Sequence, residues 1–362
     1  MKSIVITGAK GFLGRNLAAH LLARADCRVF LGDLDTSAEE LNIWLHEADV
    51  IFHLAGVNRP EEPAEFDSGN IGSTARLCEE LLRLGRTPTI IFSSSIQAEM
   101  DNPYGISKRR AEEALLDFQQ RSGAEVRIFR LKNVFGKWCR PNYNSVVATF
   151  CHNVAHGLPL TVSDPERELD LVYVDDVVEA FLGERYAADT IPTYRIRLGD
   201  LAGRIDGFRS MGKSLYTPDF SVRFNQCLYA TYLSYVEAAD RRRSLEAKSD
   251  QRGALAEFLK SPHCGQLFVS RTKPGVTRGN HYHHTKTEQF FVVAGEGMIR
   301  MRQIEGGEIF EYPVRGEDFS VVDIPPGYTH SIENIGDGEL VTLFWASQVF
   351  DPERPDTYPM GV

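Results

Sequence analysis

Within its first fourteen residues the chain runs from an apolar stretch, Ser3-Ile-Val-Ile-Thr7, straight into Gly8, Gly11 and Gly14, with Phe12 and Leu13 between the last two. A β-branched run that ends in glycines spaced in this way predicts a strand, a tight turn and a helix. Glycine lets the turn backbone approach a ligand closely and lets the helix pack against the strand. The unpaired N–H groups at the start of that helix favour a pyrophosphate. A second strand, Arg28-Val-Phe-Leu-Gly-Asp33, ends in an acid at the position where a ribose hydroxyl is expected. Further apolar runs, Asp49 to Gly56, Thr89 to Ser93 and Val126 to Leu131, alternate with helical stretches. This alternation predicts an α/β architecture with a doubly wound parallel sheet.

The other end of the chain has a different texture. From Ala247 to Gly253 the sequence turns polar, and short β-rich segments with Gly and Pro turns follow. A domain boundary is expected near residues 243–248, giving domains of 1–245 and 246–362; the preceding Arg241–Arg243 run is read as a solvated helix end. In the second domain, His281 and His283 are two residues apart and project to one face of an extended strand. Glu288 can return on the next strand, and His330, in Pro325-Pro-Gly327-Tyr-Thr-His330, offers a third imidazole. Three nitrogens and one carboxylate suit zinc, iron or manganese with an open coordination position; zinc is the expected ion.

At 362 residues the chain exceeds one ordinary core, and its formal charge of −10 without a basic face argues against nucleic acid or an anionic membrane as partner. No window reaches the apolar length of a membrane span, and the N-terminus enters a strand at once, so a cytoplasmic location is expected. The six cysteines show no Cys-x-x-Cys pair and read as reduced packing residues.

Candidate chemistry in the first domain rests on Ser95, at a strand end, and on Tyr104 and Lys108 in Pro103-Tyr-Gly-Ile-Ser-Lys108. The Tyr-x-x-x-Lys spacing places both side chains on one helical face. A lysine close to the phenol is expected to lower its pKa toward the working pH. Tyrosine then protonates a carbonyl oxygen as hydride arrives, and Ser95 holds that oxygen. The spacing alone is common; its position after the glycine turn and the Ser-rich strand end supplies the specificity.

These residues resemble extended short-chain dehydrogenase/reductases over about residues 1–240. The resemblance implies a Rossmann-type domain. It puts Thr7, Gly8, Gly11, Phe12, Leu13 and Gly14 on the dinucleotide turn, with Asp33 at the ribose and Leu54, Ala55 and Gly56 on the loop lining the adenine side. Ser95, Tyr104 and Lys108 fall on the catalytic triad, with Tyr104 and Lys108 also against the cofactor, and Asn133 falls on the segment after the next strand. Lys137 and Arg140 are then candidates to pair with a substrate diphosphate.

The histidine pattern resembles the two motifs of the cupin superfamily, a metal-binding all-β barrel. The first motif is complete. The second lacks one glycine, because Phe319 stands six residues before Pro325. A reductase joined to a C-terminal cupin resembles, along the whole chain, the bifunctional CapF/WbjC enzymes of capsule and O-antigen synthesis. That resemblance implies a UDP-linked 2-acetamido-2,6-dideoxy-4-ketohexose as substrate. The cupin would epimerise C3 and the reductase would reduce C4, giving the talose form on the way to N-acetyl-L-fucosamine. Tyr282, Lys286 and Tyr328 are candidates for the proton exchange at C3. It further implies a homodimer and NADPH. NADH stays open because the Asp33 carboxylate would repel a 2′-phosphate, a repulsion that Lys10 and Arg15 could offset. The alternative reading is a single-activity reductase with the β domain as a dimerisation or sensing module.

Overall fold

A computed structural model describes residues 1–362 apart from 61, 63, 242 and 243, so Arg242 and Arg243 of the arginine run lie outside the described residues. The chain divides into two compact units: Met1–Asp206 with Cys227–Glu237, and Gly207–Gln226 with Ala238–Val362.

The first unit opens with β1 (Lys2–Thr7), α1 (Phe12–Leu22), β2 (Cys27–Gly32), α2 (Ala38–Glu47) and β3 (Val50–His53). After a short α3 (Ala64–Phe66), a π-helical turn (Asp67–Gly72) runs into α4 (Ser73–Leu84), followed by β4 (Thr89–Ser95), α5 (Pro103–Ser122) and β5 (Val126–Leu131). The strands pair in parallel in the order β2-β1-β3-β4-β5. Alternate residues of each strand serve opposite faces. Ile4, Ile6 and Phe52 pack with Leu17 and Leu21 of α1 on one side. Val5, Ile51, Ile90 and Phe92 pack with Leu45, Leu77 and Leu115 on the other. Burial on both faces explains why these strands read as continuous apolar runs. The expected doubly wound sheet is therefore present. A smaller sheet follows, of β6 (Asn133–Phe135), β7 (Glu168–Tyr173) and β8 (Thr193–Arg197), with α6 (Val146–Ala155) and α7 (Val174–Phe181) between its strands. The helices α8 (Leu198–Ser214) and α9 (Arg223–Leu233) follow.

The second unit is built from antiparallel strands: β9 (Ala247–Asp250), β10 (Gly253–Ser261), β11 (Gly265–Thr272), β12 (Thr277–Tyr282), β13 (Glu288–Ala294), β14 (Glu296–Gln303), β15 (Phe310–Arg315), β16 (Val321–Ile324), β17 (Tyr328–Asn334), β18 (Leu340–Ala346) and β19 (Tyr358–Pro359). They form two sheets, β16-β13-β18-β11-β10-β9 and β15-β14-β17-β12-β19. Phe290, Val292 and Phe344 of the first sheet share one core with Ile299, Met301, Val314 and Ile332 of the second. This two-sheet all-β arrangement is the one expected of the cupin barrel. Just before α9, the chain at residues 215–217 adds to the outer part of this unit, with Lys260 N donating to Leu215 O at 2.8 Å and Thr217 N to Lys260 O at 2.8 Å. Among the described residues, no helix is long and apolar enough to cross a membrane.

Candidate active sites

The glycine turn is shaped by close approach. Gly8 has φ 71°, and a Cβ there would lie 2.7 Å from the Ala55 backbone; one at Gly14 would lie 2.1 Å from Gly8 O. The loop Leu54–Gly56 therefore abuts the turn, with Leu54 N donating to Thr7 O at 3.1 Å and Ala55 N to Thr7 Oγ1 at 3.4 Å. Gly11 is the N-cap of α1, with no side-chain cap and no acid in the first turn, so the N–H groups opened by Phe12 and Leu13 remain available to an anion. At the end of β2, Asp33 Oδ2 accepts from Lys10 N at 2.7 Å and Oδ1 from Leu34 N at 2.9 Å. The Lys10 ammonium meets Asp35 at 2.6 Å, and the Arg15 guanidinium lies over the Trp138 ring at 5.2 Å.

Ser95 ends β4 and caps the next turn, accepting from Gln97 N at 3.2 Å, and its hydroxyl lies close enough to the Tyr104 phenol to favour the phenolate. Tyr104 and Lys108 lie one turn apart on α5, whose start is capped by Asn102 Oδ1 accepting from Gly105 N at 2.8 Å. Burial raises the phenol above its ordinary value against the Ser95 hydrogen bond, and Tyr143 adds to the rise. The expectation that Lys108 lowers the Tyr104 pKa is thus corrected. The ammonium donates instead to Ser93 O at 3.0 Å and lies over the Phe92 ring at 4.9 Å. Burial pushes Lys108 down to about 8, opposed by Glu112.

Two groups around these residues were not singled out from sequence. Asn70, fully buried in the π-helical turn, accepts from Val57 N at 2.8 Å and donates to Val57 O and Ser107 Oγ at 2.9 Å each. It braces the Gly56 loop against α5: a Cβ on Gly56 would stand 2.8 Å from Asn70 Oδ1 and 3.2 Å from Lys108 Nζ. Glu112, also buried, accepts from Ser94 Oγ at 2.5 Å and from Arg130 at 2.7 Å, tying α5 to β4 and β5. Its acid is spaced four residues from Lys108, but nothing local in the sequence marks it as buried. Of the residues read as diphosphate partners, Lys137 is paired with Asp175 at 2.5 Å, so its charge is already matched. Arg140 lies over the Tyr143 ring at 5.3 Å, and the Tyr143 hydroxyl accepts from Arg59 N at 3.1 Å. Asn133 is exposed and donates to Asp170 O at 3.2 Å.

In the second unit, His281, His283, Glu288 and His330 converge, each offering one ligand atom, and these atoms all lie within 4.8 Å of one another. His283 Nε2 and His330 Nε2 are 3.3 and 3.2 Å from Glu288 Oε2. A tetrahedral ion with bonds near 2.1 Å would separate its ligand atoms by about 3.4 Å. Main-chain carbonyls fix the tautomers: His283 Nδ1 donates to Asp356 O at 2.5 Å and His330 Nδ1 to Tyr328 O at 3.2 Å. This leaves Nε2 of both rings buried without a hydrogen-bond partner. Burial pushes His281 down to about 4, with His330 adding to the effect, so its ring is neutral and keeps a lone pair. Glu288 is buried, with its carboxylate Oε2 facing both orphaned Nε2 atoms. The donor set thus fits a divalent ion such as zinc.

The three proton-exchange candidates are placed differently. Tyr282 alternates with His281 and His283, so it points to the opposite face, where it stacks on Tyr358 at 5.2 Å. The Lys286 ammonium donates to Pro355 O at 3.1 Å and Thr357 Oγ1 at 3.4 Å. Tyr328 shares a strand face with His330, and its hydroxyl accepts from Gln303 Nε2 at 3.0 Å.

Residues 4–189 match the NAD dependent epimerase/dehydratase family and residues 248–358 match the polysaccharide biosynthesis C-terminal domain. The chain belongs to the NAD dependent epimerase/dehydratase family, with that second domain fused behind it. Over 366 aligned residues it is 44% identical to the UDP-2-acetamido-2,6-beta-L-arabino-hexul-4-ose reductase of Pseudomonas aeruginosa, covering 99% of this chain and 98% of that one. It is 45% identical to the capsular polysaccharide assembling protein CapF of Staphylococcus aureus, with a TM-score of 0.91 over 99% of this chain and 100% of that one. A CapF structure with the inhibitor 3-isopropenyl-tropolone is 40% identical, with a TM-score of 0.85 over 99% of each chain. The CapF-type resemblance carried by the motifs therefore extends over the full length.

Proposed function

We propose that the chain is a bifunctional UDP-sugar enzyme of capsule or O-antigen synthesis. Residues 246–362 epimerise C3 of a UDP-2-acetamido-2,6-dideoxy-4-ketohexose, and residues 1–245 then reduce C4, giving UDP-2-acetamido-2,6-dideoxy-L-talose. The observation that carries this reading is the presence in one chain of two sites: the Ser95–Tyr104 pair, and a four-residue donor cluster with two orphaned imidazole nitrogens. A full-length relative named as a 4-ulose reductase supports the substrate class.

When bound, the nicotinamide supplies hydride and the divalent ion supplies Lewis acidity toward a sugar carbonyl oxygen. Tyr104 donates its proton to the C4 oxygen; a phenol raised above its ordinary value stays protonated at neutral pH, as a donor requires. Ser95 hydrogen-bonds the same oxygen and orients it. Thr7, Gly8, Gly11, Phe12, Leu13 and Gly14 receive the pyrophosphate, Asp33 faces the ribose, and the Leu54–Gly56 loop lines the adenine side, with Tyr104 and Lys108 against the nicotinamide end. NADPH is the proposed donor. The Asp33 carboxylate is turned onto the Lys10 and Leu34 amides and the Lys10 ammonium is paired with Asp35, which leaves Arg15, over the Trp138 ring, as the cation to meet a 2′-phosphate. His281, His283, Glu288 and His330 would hold the ion, and Tyr328, on the His330 face, would serve as one of the two acid–base groups, the second acting from the opposite face of the sugar ring. The C3 hydrogen is acidic only while C4 is a ketone, so epimerisation comes first.

The test is incubation with the UDP-4-ketohexose in deuterated water, with and without NADPH. His330→Ala will abolish deuterium uptake at C3 but still oxidise NADPH when given the C3-epimerised ketone. Tyr104→Phe will retain C3 exchange and lose reduction by at least about 100-fold. Normal exchange in a folded, metal-free His330→Ala protein would leave the single-activity reductase as the correct reading.

A further inference from the structure

The turn that carries the chain from His283 to Glu288 has little to hold it locally. Its three successive N–H groups, of His284, Thr285 and Lys286, are met by a residue about seventy positions away. Asp356 Oδ1 accepts from His284 N at 2.9 Å, and Oδ2 accepts from Thr285 N at 3.0 Å, Lys286 N at 3.0 Å and Thr285 Oγ1 at 2.9 Å. The main-chain carbonyl of the same residue receives the 2.5 Å hydrogen bond from His283 Nδ1. Asp356 makes both sets of contacts at φ 40°, a left-handed conformation that aspartate tolerates better than most residues.

The chain on either side of it is laced to the same strands. Lys286 Nζ reaches Pro355 O and Thr357 Oγ1, His281 pairs with Pro359 across β12 and β19, and Met360 N donates to Asn280 O at 2.9 Å. Thr329 Oγ1, next to His330, donates to Met360 O at 2.5 Å. The strap from 355 to 360 thus touches each of the three candidate imidazoles or its sequence neighbour. A carboxylate used only to close a surface turn would not need its own carbonyl aimed at a ligand ring.

We propose that Asp356 is a positioning residue of the metal centre: its carboxylate sets the 284–286 turn and its carbonyl sets the His283 ring, so that the 355–360 strap and the ion bind cooperatively. This rests on the reading of His281, His283, Glu288 and His330 as metal ligands. Outer-shell partners of metal ligands are typically worth about 10–100-fold in affinity. The Asp356 contacts are expected to fall in that range, because an untethered turn must be ordered at the moment of binding.

The experiment uses the full chain stripped of metal and titrated with zinc against a chromophoric chelator, with Asp356→Ala, Asp356→Asn and the exposed-tail control Glu353→Ala. Asp356→Ala will bind zinc about 10–100-fold more weakly, Asp356→Asn will lie between it and the unaltered chain, and Glu353→Ala will match the unaltered chain. In the cobalt-substituted protein, the visible absorption bands of the two Asp356 variants will shift, reporting altered ligand geometry, which a role in turn stability alone would not move. If Asp356→Ala does not fold, the Asn variant alone decides. Zinc affinity within threefold of the unaltered chain, together with an unchanged cobalt spectrum, would overturn the positioning role. If the unaltered chain itself binds no stoichiometric zinc, or binds it equally well as His330→Ala, the metal reading fails instead, and this inference with it.

Discussion

His53 shows how much of a site is set by residues that do no chemistry. At 2% exposure its ring lies between two hydroxyls, with Nδ1 2.7 Å from Thr7 Oγ1 and Nε2 2.9 Å from Thr74 Oγ1, joining the glycine turn to α4. Burial, aided by Lys108, pushes it from 6.5 down to about 3. A folded-state pKa below the unfolded one means that its contribution to stability is complete above the unfolded value. That contribution is lost as pH falls through the window from 6.5 toward 3. His53→Gln will therefore have a lower unfolding midpoint than the unaltered chain at pH 7.5, but a shallower decline as the pH is taken from 6.5 to 4. Parallel declines in thermal scans would assign the acid sensitivity to other groups. Residues of this kind were only partly legible. Tyr104, Lys108, His281, His283 and Glu288 stand out because their chemistry is encoded in short spacings. Asn70, Glu112 and Asp356 do not, because their partners lie 13 to 73 residues away and only the fold supplies them. The same blindness to distant partners made Lys137 look free, although Asp175 neutralises it.

At the level of elements, the parallel strands were readable because burial on both faces writes uninterrupted apolar runs, and α5 because the Tyr104–Lys108 spacing falls on one helical face. The β domain was legible mainly through its turns. There the missing motif glycine has a physical counterpart: Phe319 is held at φ 47° with its side chain 81% exposed, and its ring only grazes Phe291 at 6.4 Å. A left-handed residue with a β-carbon costs about 1–2 kcal/mol, whereas glycine loosens the unfolded chain by about 0.5–1 kcal/mol. Since the ring contributes little packing, Phe319→Gly will raise stability by up to about 1 kcal/mol. Denaturant titration checks the sign. An equal loss would mean that the Phe291 contact outweighs the backbone strain.

On the scale of the whole molecule, three of the four donor residues come from the two sheets of the β unit, Glu288 from β13 in one and His281 and His330 from β12 and β17 in the other, and His283 lies just past the end of β12. An ion held there ties the two sheets across their shared core and binds the folded state alone, so it stabilises by mass action, by about 4 kcal/mol at a thousandfold excess over its dissociation constant. Stripping it will lower the unfolding midpoint of the β unit in proportion to the logarithm of free zinc. The α/β unit, which has its own core, will unfold where it did before. Calorimetry across a series of buffered zinc activities tests this, and a single transition indifferent to zinc would refute it. On the proposed reading the ligand cluster is also a clasp between sheets, and ion supply would govern how long a molecule survives as well as whether it reacts. In a cell starved of the ion, the β half would open more often, proteolysis would draw on the opened form, and the amount of enzyme would fall along with its activity.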